Sequence, residues 1–415
     1  MEFKKVKLGE IIKVQIDNRG RNPEKYINYS KFPVIDNYLI KNEKYPNIKN
    51  VNRYIDEDTK NNFLRGHLEK DDVIITLVGN GIGNVTMVPS SKCVIIQNTL
   101  GLRCNELMTN DFLYYTLISN RNKIVKYNRG SSQPSIRKTD LFSYEINVPT
   151  INYQKKITKI LNSLDSKIEI NNKIISNLES QAQAIFKSWF VDFEPFQDGN
   201  FVESELGIIP EGWEVKELGE VADCKLGGTP SRKKREFWNG DIPWINSGEV
   251  NKDRIIEPSE YITEDGLKNS ATKLLKRKTT LVAITGATLG QVSLLEIDCC
   301  TNQSIIGIEP NEKIPYEYIY LFIKNNINKI ISNQTGAAQQ HINLNDIRTS
   351  KIIIPQSRIM TEYVKIVSLL MSKVEKNYFE NTKLAELRDA LLPKLMAGEI
   401  DVSNIKIEGE EVKNE

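Results

Sequence analysis

The chain repeats itself at half its length. "GSSQPSIRKTD" (Gly130 to Asp140) and "GAAQQHINLND" (Gly336 to Asp346) share Gly130/Gly336, Gln133/Gln339, Ile136/Ile342 and Asp140/Asp346, each pair 336 − 130 = 206 residues apart, and Pro149 matches Pro355 at the same offset. Upstream, "VKLGEI" (Val6 to Ile11) matches "VKELGEV" (Val215 to Val221) and "FPVI" (Phe32 to Ile35) matches "IPWI" (Ile242 to Ile245). "VIITLVGNGIGNV" (Val73 to Val85) lies against "TTLVAITGATLGQV" (Thr279 to Val292), with Gly79 and Gly83 over Gly286 and Gly290. A collinear repeat of this length requires one topology built twice, before any local pattern is considered.

In each copy a β-branched run leads into the glycines and a short extended run, "VTMV" or "VSLL", leaves them. That reads as strand, tight loop, strand. The glycines do not make a dinucleotide site: "GNGIG" has the wrong spacing, the second copy keeps only two glycines, and no helix start follows to receive a pyrophosphate.

After each copy comes a stretch without proline or glycine, 152–194 and 359–392, with the length of a long helix. In the first, Ile157, Leu161, Leu164, Ile168, Asn171, Ile175, Leu178, Ala182, Ile185 and Trp189 alternate steps of four and three. This is a heptad seam, the pattern of a helix that pairs with another. Shifted by 206, the seam continues as Tyr363, Val367, Leu370, Val374, Asn377, Asn381, Leu384, Arg388, Leu391 and Leu395. Two arrangements suit it: the helices pair with each other, which the matching heptads favour, or each packs on its own head as ordinary core. In an antiparallel pair about a pseudo-two-fold axis, Asn171 and Asn377 are expected to face each other and fix register. At 1.5 Å per residue such helices extend about 55 to 60 Å.

The expected fold is therefore α+β: two similar mixed α/β domains joined by two long antiparallel coiled-coil helices, a pseudo-two-fold internal repeat. The boundaries expected are residues 1–151 and 197–357 for the heads, 152–196 and 358–400 for the helices, and an unstructured acidic tail over 401–415. A chain of 415 residues, 40% hydrophobic and 27% charged, has the material for two or three globular domains. No apolar run approaches the roughly 20 residues that cross a bilayer. The start, "MEFKKVKLGE", has no apolar core behind its lysines, so a cytoplasmic protein without membrane contact is expected. Five cysteines without a C-x-x-C pair and two histidines, His67 and His341, leave little for a disulfide framework, and no metal site is expected. A net charge of +2, from 56 basic and 54 acidic residues, neither demands nor excludes nucleic acid.

Four stretches carry a family resemblance. They are "AIFKSWFVDFEPF" (Ala184 to Phe196), "GIIPEGWEVKELGEV" (Gly207 to Val221), "GGTPSRKKREFWNGDIPWINSGEV" (Gly227 to Val250) and "LAELRDALLPKLMAGEI" (Leu384 to Ile400). In this order the chain resembles the specificity subunit of type I restriction-modification enzymes over essentially its whole length. The resemblance implies two target-recognition domains, each reading half of a split sequence in double-stranded DNA, with the helices setting the spacer. It implies docking of two methyltransferase (modification) subunits and a restriction/translocase subunit. It also implies no catalysis and no cofactor on this chain, with S-adenosylmethionine and ATP/Mg belonging to the partners. The residues agree, since neither an "NPPY"-like motif nor a G-x-x-x-x-G-K-[ST] loop occurs.

Two surfaces are candidates for DNA contact. Thr229, Ser231, Arg232, Lys233, Lys234 and Arg235, with Trp238 after them, form a basic loop on a Gly-Gly-Thr-Pro turn. Alone, such a run is a solvated turn; within a recognition stretch it suits phosphates. The first copy offers Arg19 and Arg21, and Arg is the usual bidentate reader of guanine. The repeated phrase adds Arg129, Ser131, Ser132, Gln133, Arg137 and Lys138, and in the second copy Gln339, Gln340, His341 and Asn343. The shared Gly, Gln, Ile and Asp belong to the frame on this reading, and the unshared residues to base reading. Trp189, Phe190 and Phe193 are either core of a head or the docking point for a methyltransferase subunit.

Overall fold

The computed structural model describes residues 3–130, 133–332 and 342–406. The chain forms two compact units, Met1–Glu169 with Lys383–Glu415 and Ile170–Thr382. Each holds one copy of the repeat together with a part of both long helices.

The repeat is one sheet built twice. In the first unit the strands lie in the order Ile12–Ile16, Thr99–Cys104, Val73–Thr76, Val85–Met87, all antiparallel. In the second, Asp223–Leu226, Ile305–Glu309, Thr280–Ala283 and Val292–Leu295 take the same order, again antiparallel, and Arg254–Ile255 adds a parallel edge. A two-stranded ribbon accompanies each sheet, Lys4–Lys7 with Glu145–Val148 and Glu214–Glu217 with Lys351–Ile354. Val73–Thr76 and Thr280–Ala283 are buried at every residue, as strands covered on both faces are.

The loop glycines serve the frame. Gly79, Gly83, Gly286 and Gly290 all have φ between 68° and 97°, where only glycine is unstrained. A Cβ on Gly83 would stand 2.7 Å from Val125 Cγ2, and one on Gly290 would stand 2.6 Å from Ile331 Cδ1. In both units the tight loop therefore closes onto a helix of its own head, which ends at Val125 in one and Ser332 in the other.

The units diverge between ribbon and glycine loop. The second carries a four-stranded sheet, Glu260–Ile262, Trp238–Ile245, Cys299–Thr301, Leu274–Leu275. The first has Phe32–Pro33 against Tyr54–Ile55, an antiparallel bridge from Ile27 to Tyr54 and a parallel bridge from Val34 to Val94. That bridge stands where Trp244 pairs in parallel with Cys300 in the second unit.

The long helices are Ile151–Phe190, 40 residues, and Ser357–Ala397, 41 residues, the latter continuing through Pro393 in its last turns. Every residue of both seams is buried or half-buried. Mutual pairing and head packing both hold. Ile157 and Leu161 join Leu392 and Leu395 in the core of the first unit, while Ala182, Phe186 and Phe190 join Tyr363, Val367 and Met371 in the second.

Within each unit the helix segments run antiparallel. In the first, Tyr153 Oη donates to Ile400 O at 3.2 Å, and Asp165 accepts from Arg388 Nη1 at 2.8 Å and from Tyr115 Oη at 2.5 Å. In the second, Phe190 meets Tyr363, and Asn171 Nδ2 donates to Asn381 Oδ1 at 2.9 Å and to Glu380 Oε2 at 2.8 Å.

Two expectations are corrected. Asn171 does not face Asn377: facing residues sum to 552 for 171 with 381 and to 553 for 190 with 363, so residues 206 apart meet only near 173 and 379. Asn377 instead leaves its amide nitrogen buried without a partner. Nor is the chain unstructured from 401. Val402 is buried in the first core, and the carbonyls of Ser403 and Lys406 accept from Lys156 and Lys159 of the first long helix. Among the described residues, no helix is long and apolar enough to cross a membrane.

Candidate nucleic-acid interface

In the second unit the basic loop leaves the sheet through two glycines pressed against neighbouring chain. Gly227 N donates to Ile305 O and Gly228 N to Thr301 O, and a Cβ on either would come within 2.5 Å of another atom. Thr229 then donates to Gln303 Oε1 at 2.5 Å. Arg232 makes a two-pronged pair with Glu260 and lies flat on Trp238, 3.5 Å from the ring centre. Trp238 stands edge-on to the buried Trp244 at 5.1 Å and donates to Ser231 O at 3.3 Å, so loop and tryptophan brace each other. Arg232 holds the Glu260 carboxyl below its usual range. Lys233, Lys234 and Arg235 are exposed. Lys234 sits 4.8 Å from the Phe237 ring, and Lys233 and Arg235 have no acidic partner among the described residues. The loop thus combines one pinned arginine, one lysine over an aromatic ring and two loose cations.

The first unit gathers its candidates differently. Arg19 Nε and Nη2 donate to the two oxygens of Asp17 at 2.8 and 2.6 Å, and Lys138, from the repeated phrase, approaches the same carboxylate at 3.4 Å. Arg19 draws the Asp17 carboxyl down to about 2. Between them Asn18 is buried and faces inward, donating to Gly66 O and Ile95 O and accepting from Arg65 N and Gly66 N. Arg21 lies over the Phe63 ring at 5.6 Å, its Nε buried without a partner. Arg129 pairs with Asp140 at 2.8 Å, and Gln133 and Arg137 are exposed.

The described part of the phrase is tied to the sheet in both units. Ile136 N donates to Leu77 O at 2.8 Å, and Ile342 N donates to Ile284 O at 3.3 Å, at the matching end of the matching strand. A Cβ on Gly130 would fall 1.7 Å from Gln133 O, which restricts the position to glycine. Asn343, expected to face DNA, caps the helix Leu344–Arg348: its Oδ1 accepts from Asn345 N and Asp346 N, and its own N donates to Asp346. Ser131, Ser132, Gln339, Gln340 and His341 lie outside the described residues.

The aromatic residues offered for docking are mainly core. Phe190 is 4% exposed among Tyr318, Tyr363 and Trp213, the core alternative of the two offered for it. Trp189 and Phe193 are half-buried against Tyr363 and Trp213. The apolar surface left over is beside them: Val191, Leu206 and Ile208 are 49%, 46% and 64% exposed.

The carboxylates Asp17 and Glu260 escaped the sequence reading. Asp17 stands two residues before Arg19 and was legible as a neighbour; Glu260 is 28 residues from Arg232 and reaches it only through the pairing of Trp238–Ile245 with Glu260–Ile262.

The family model described as the type I restriction modification DNA specificity domain matches twice, over residues 1–180 and 210–388, and the chain belongs to this family. The HindI specificity subunit of Haemophilus influenzae is 28% identical over 406 residues, 80% of this chain and 87% of that protein. The MjaIX specificity subunit of Methanocaldococcus jannaschii is 32% identical over 283 residues, 66% of this chain and 65% of that one. In fold, the chain is similar to the crystal structure of the type I restriction-modification system S subunit from M. genitalium. That likeness has a TM-score of 0.55 at 18% identity and covers 95% of this chain and 96% of that one. The chain is accordingly a specificity subunit, a recognition component rather than an enzyme.

Proposed function

We propose that each unit binds one half of a bipartite site in double-stranded DNA, and that the two long helices fix the number of unspecified base pairs between the halves. The observation that carries this reading is the pairing of a common frame with unlike loops. Both units have the same sheet order and a glycine loop that closes on its own head, yet one displays Arg232 over two tryptophans followed by Lys233, Lys234 and Arg235, and the other holds Arg19 and Lys138 on one carboxylate with Arg21 over Phe63. A frame used twice with different cations on it suits an asymmetric target, because base edges are read by side chains while phosphates fix position. Lys233, Lys234 and Arg235 are assigned to phosphates.

The exposed Val191, Leu206 and Ile208 are assigned to docking of a methyltransferase subunit, with a restriction/translocase subunit joining that complex. S-adenosylmethionine and ATP/Mg then act on those partners, and the expected site in the cell is the cytoplasm. Footprinting of the complex with its methyltransferase tests the reading. Two short protected blocks flanking an unprotected gap are expected, with binding that weakens steeply as salt rises; a single continuous block, or DNA modification by this chain alone, would overturn it.

A further inference from the structure

The best-placed arginine of each unit's candidate surface is already on a carboxylate. Asp17 takes the Nε and Nη2 hydrogens of Arg19, which leaves the paired Nη1 and Nη2 hydrogens of the opposite edge. Glu260 takes one hydrogen from each of Nη1 and Nη2 of Arg232, which leaves Nε–H with the adjacent Nη2 hydrogen, while Trp238 covers one face. In both cases the guanidinium plane is fixed and one two-donor edge is unused. Two parallel donors on a rigid plane match guanine O6 and N7. A guanidinium already fixed loses less side-chain freedom on binding, and one beside a carboxylate attracts bare phosphate less. Lys233 and Arg235, with neither restraint, have the opposite properties.

We propose that Asp17 and Glu260 are positioning residues for base reading: each holds its arginine in plane for a guanine in its own half-site and cancels charge that would otherwise bind any duplex. The inference rests on the DNA-reading function above and adds which residues discriminate. The two carboxylates give up general affinity in exchange for selectivity.

The test uses the full chain in complex with its methyltransferase, comparing wild type with Asp17→Asn and Glu260→Gln. Affinity is measured for the cognate duplex and for an unrelated one across a salt series, and methylated sites are sequenced. Each variant is expected to bind the unrelated duplex more tightly, with a salt slope steeper by about 0.9. The ratio of cognate to unrelated affinity should fall about tenfold. Methylation should relax at one base pair, in one half-site for Asp17→Asn and in the other for Glu260→Gln, and Asp17→Glu and Glu260→Asp should recover part of the ratio. A wild-type complex that is selective while both variants keep its ratio overturns this inference alone. A wild-type complex with no preferred sequence overturns the functional reading and the inference together.

Discussion

Beside the shared sheet the first unit has two dipeptide strands and isolated bridges from Ile27 to Tyr54 and Val34 to Val94; the second has a four-stranded sheet that includes Trp238 and Trp244. Within the shared sheet the units agree strand for strand. Residues holding sheet, glycine loop and phrase together recur in the same order at offsets of 206 to 210, and those facing outward between them do not. The attachment of helices to head also differs. The first unit uses the buried Asp165, shared by Tyr115 and Arg388. The second buries Arg254 against Glu296, which Lys278 also meets at 2.5 Å, while Lys278 and Arg277 reach Glu375 on the second long helix.

That contrast can be broken first at the buried charges. Glu296→Ala leaves the fully buried Arg254 only the distant Glu179 at 4.0 Å, and removing the close partner of such a pair costs about 3–5 kcal/mol. Asp165→Ala should cost less, about 2 kcal/mol, because Arg388 is partly exposed and keeps Asp389 at 2.9 Å. Urea unfolding of the two variants checks the order, and equal losses would remove the distinction. Where the units agree, the costs should agree. Gly83→Ala and Gly290→Ala each combine a positive φ with a Cβ inside 3 Å of a side chain and should cost about 2–3 kcal/mol apiece; thermal unfolding showing one tolerated and the other not would mean the two loops are not equivalent.

Smaller effects separate the cations. Lys233→Ala with Arg235→Ala should weaken binding to cognate and unrelated DNA alike and lower the salt slope by about 2, with the methylated sequence unchanged. Smallest of all is the response to pH. Arg19 lowers the Asp17 carboxyl to about 2, below its unfolded value, so the pair's contribution is complete above the unfolded value and is lost progressively as pH falls from there through about 2. Discrimination in the first half-site should therefore be flat from pH 8 to pH 5.5, and a titration within that window would assign it to another group.

The repeat, the strands around the glycines and the long helices were legible because they are periodic or local. The heptad seam marked residues that are all at least half-buried, yet it did not say what each faces. Asn171 meets Asn381 because antiparallel pairing is set by a sum of positions, whereas a repeat is read as a difference. Phe190 could be read as core or as docking surface from sequence alone, and only Tyr318 and Tyr363, which arrive from elsewhere in the chain, bury it. Arg254 has the look of a surface charge in "DRII", and only the fold brings Glu296 to it. Long-range partners of polar side chains were the part that periodicity could not supply.

The central claim is that two heads on one frame read two separate half-sites. Sequencing methylated positions in DNA from a host carrying this chain and its methyltransferase tests it most directly. Two specified blocks flanking a gap of fixed length are expected, with Glu260→Gln altering one block and leaving the other intact. One uninterrupted block, or a Glu260→Gln profile changed equally on both sides of the gap, would contradict it.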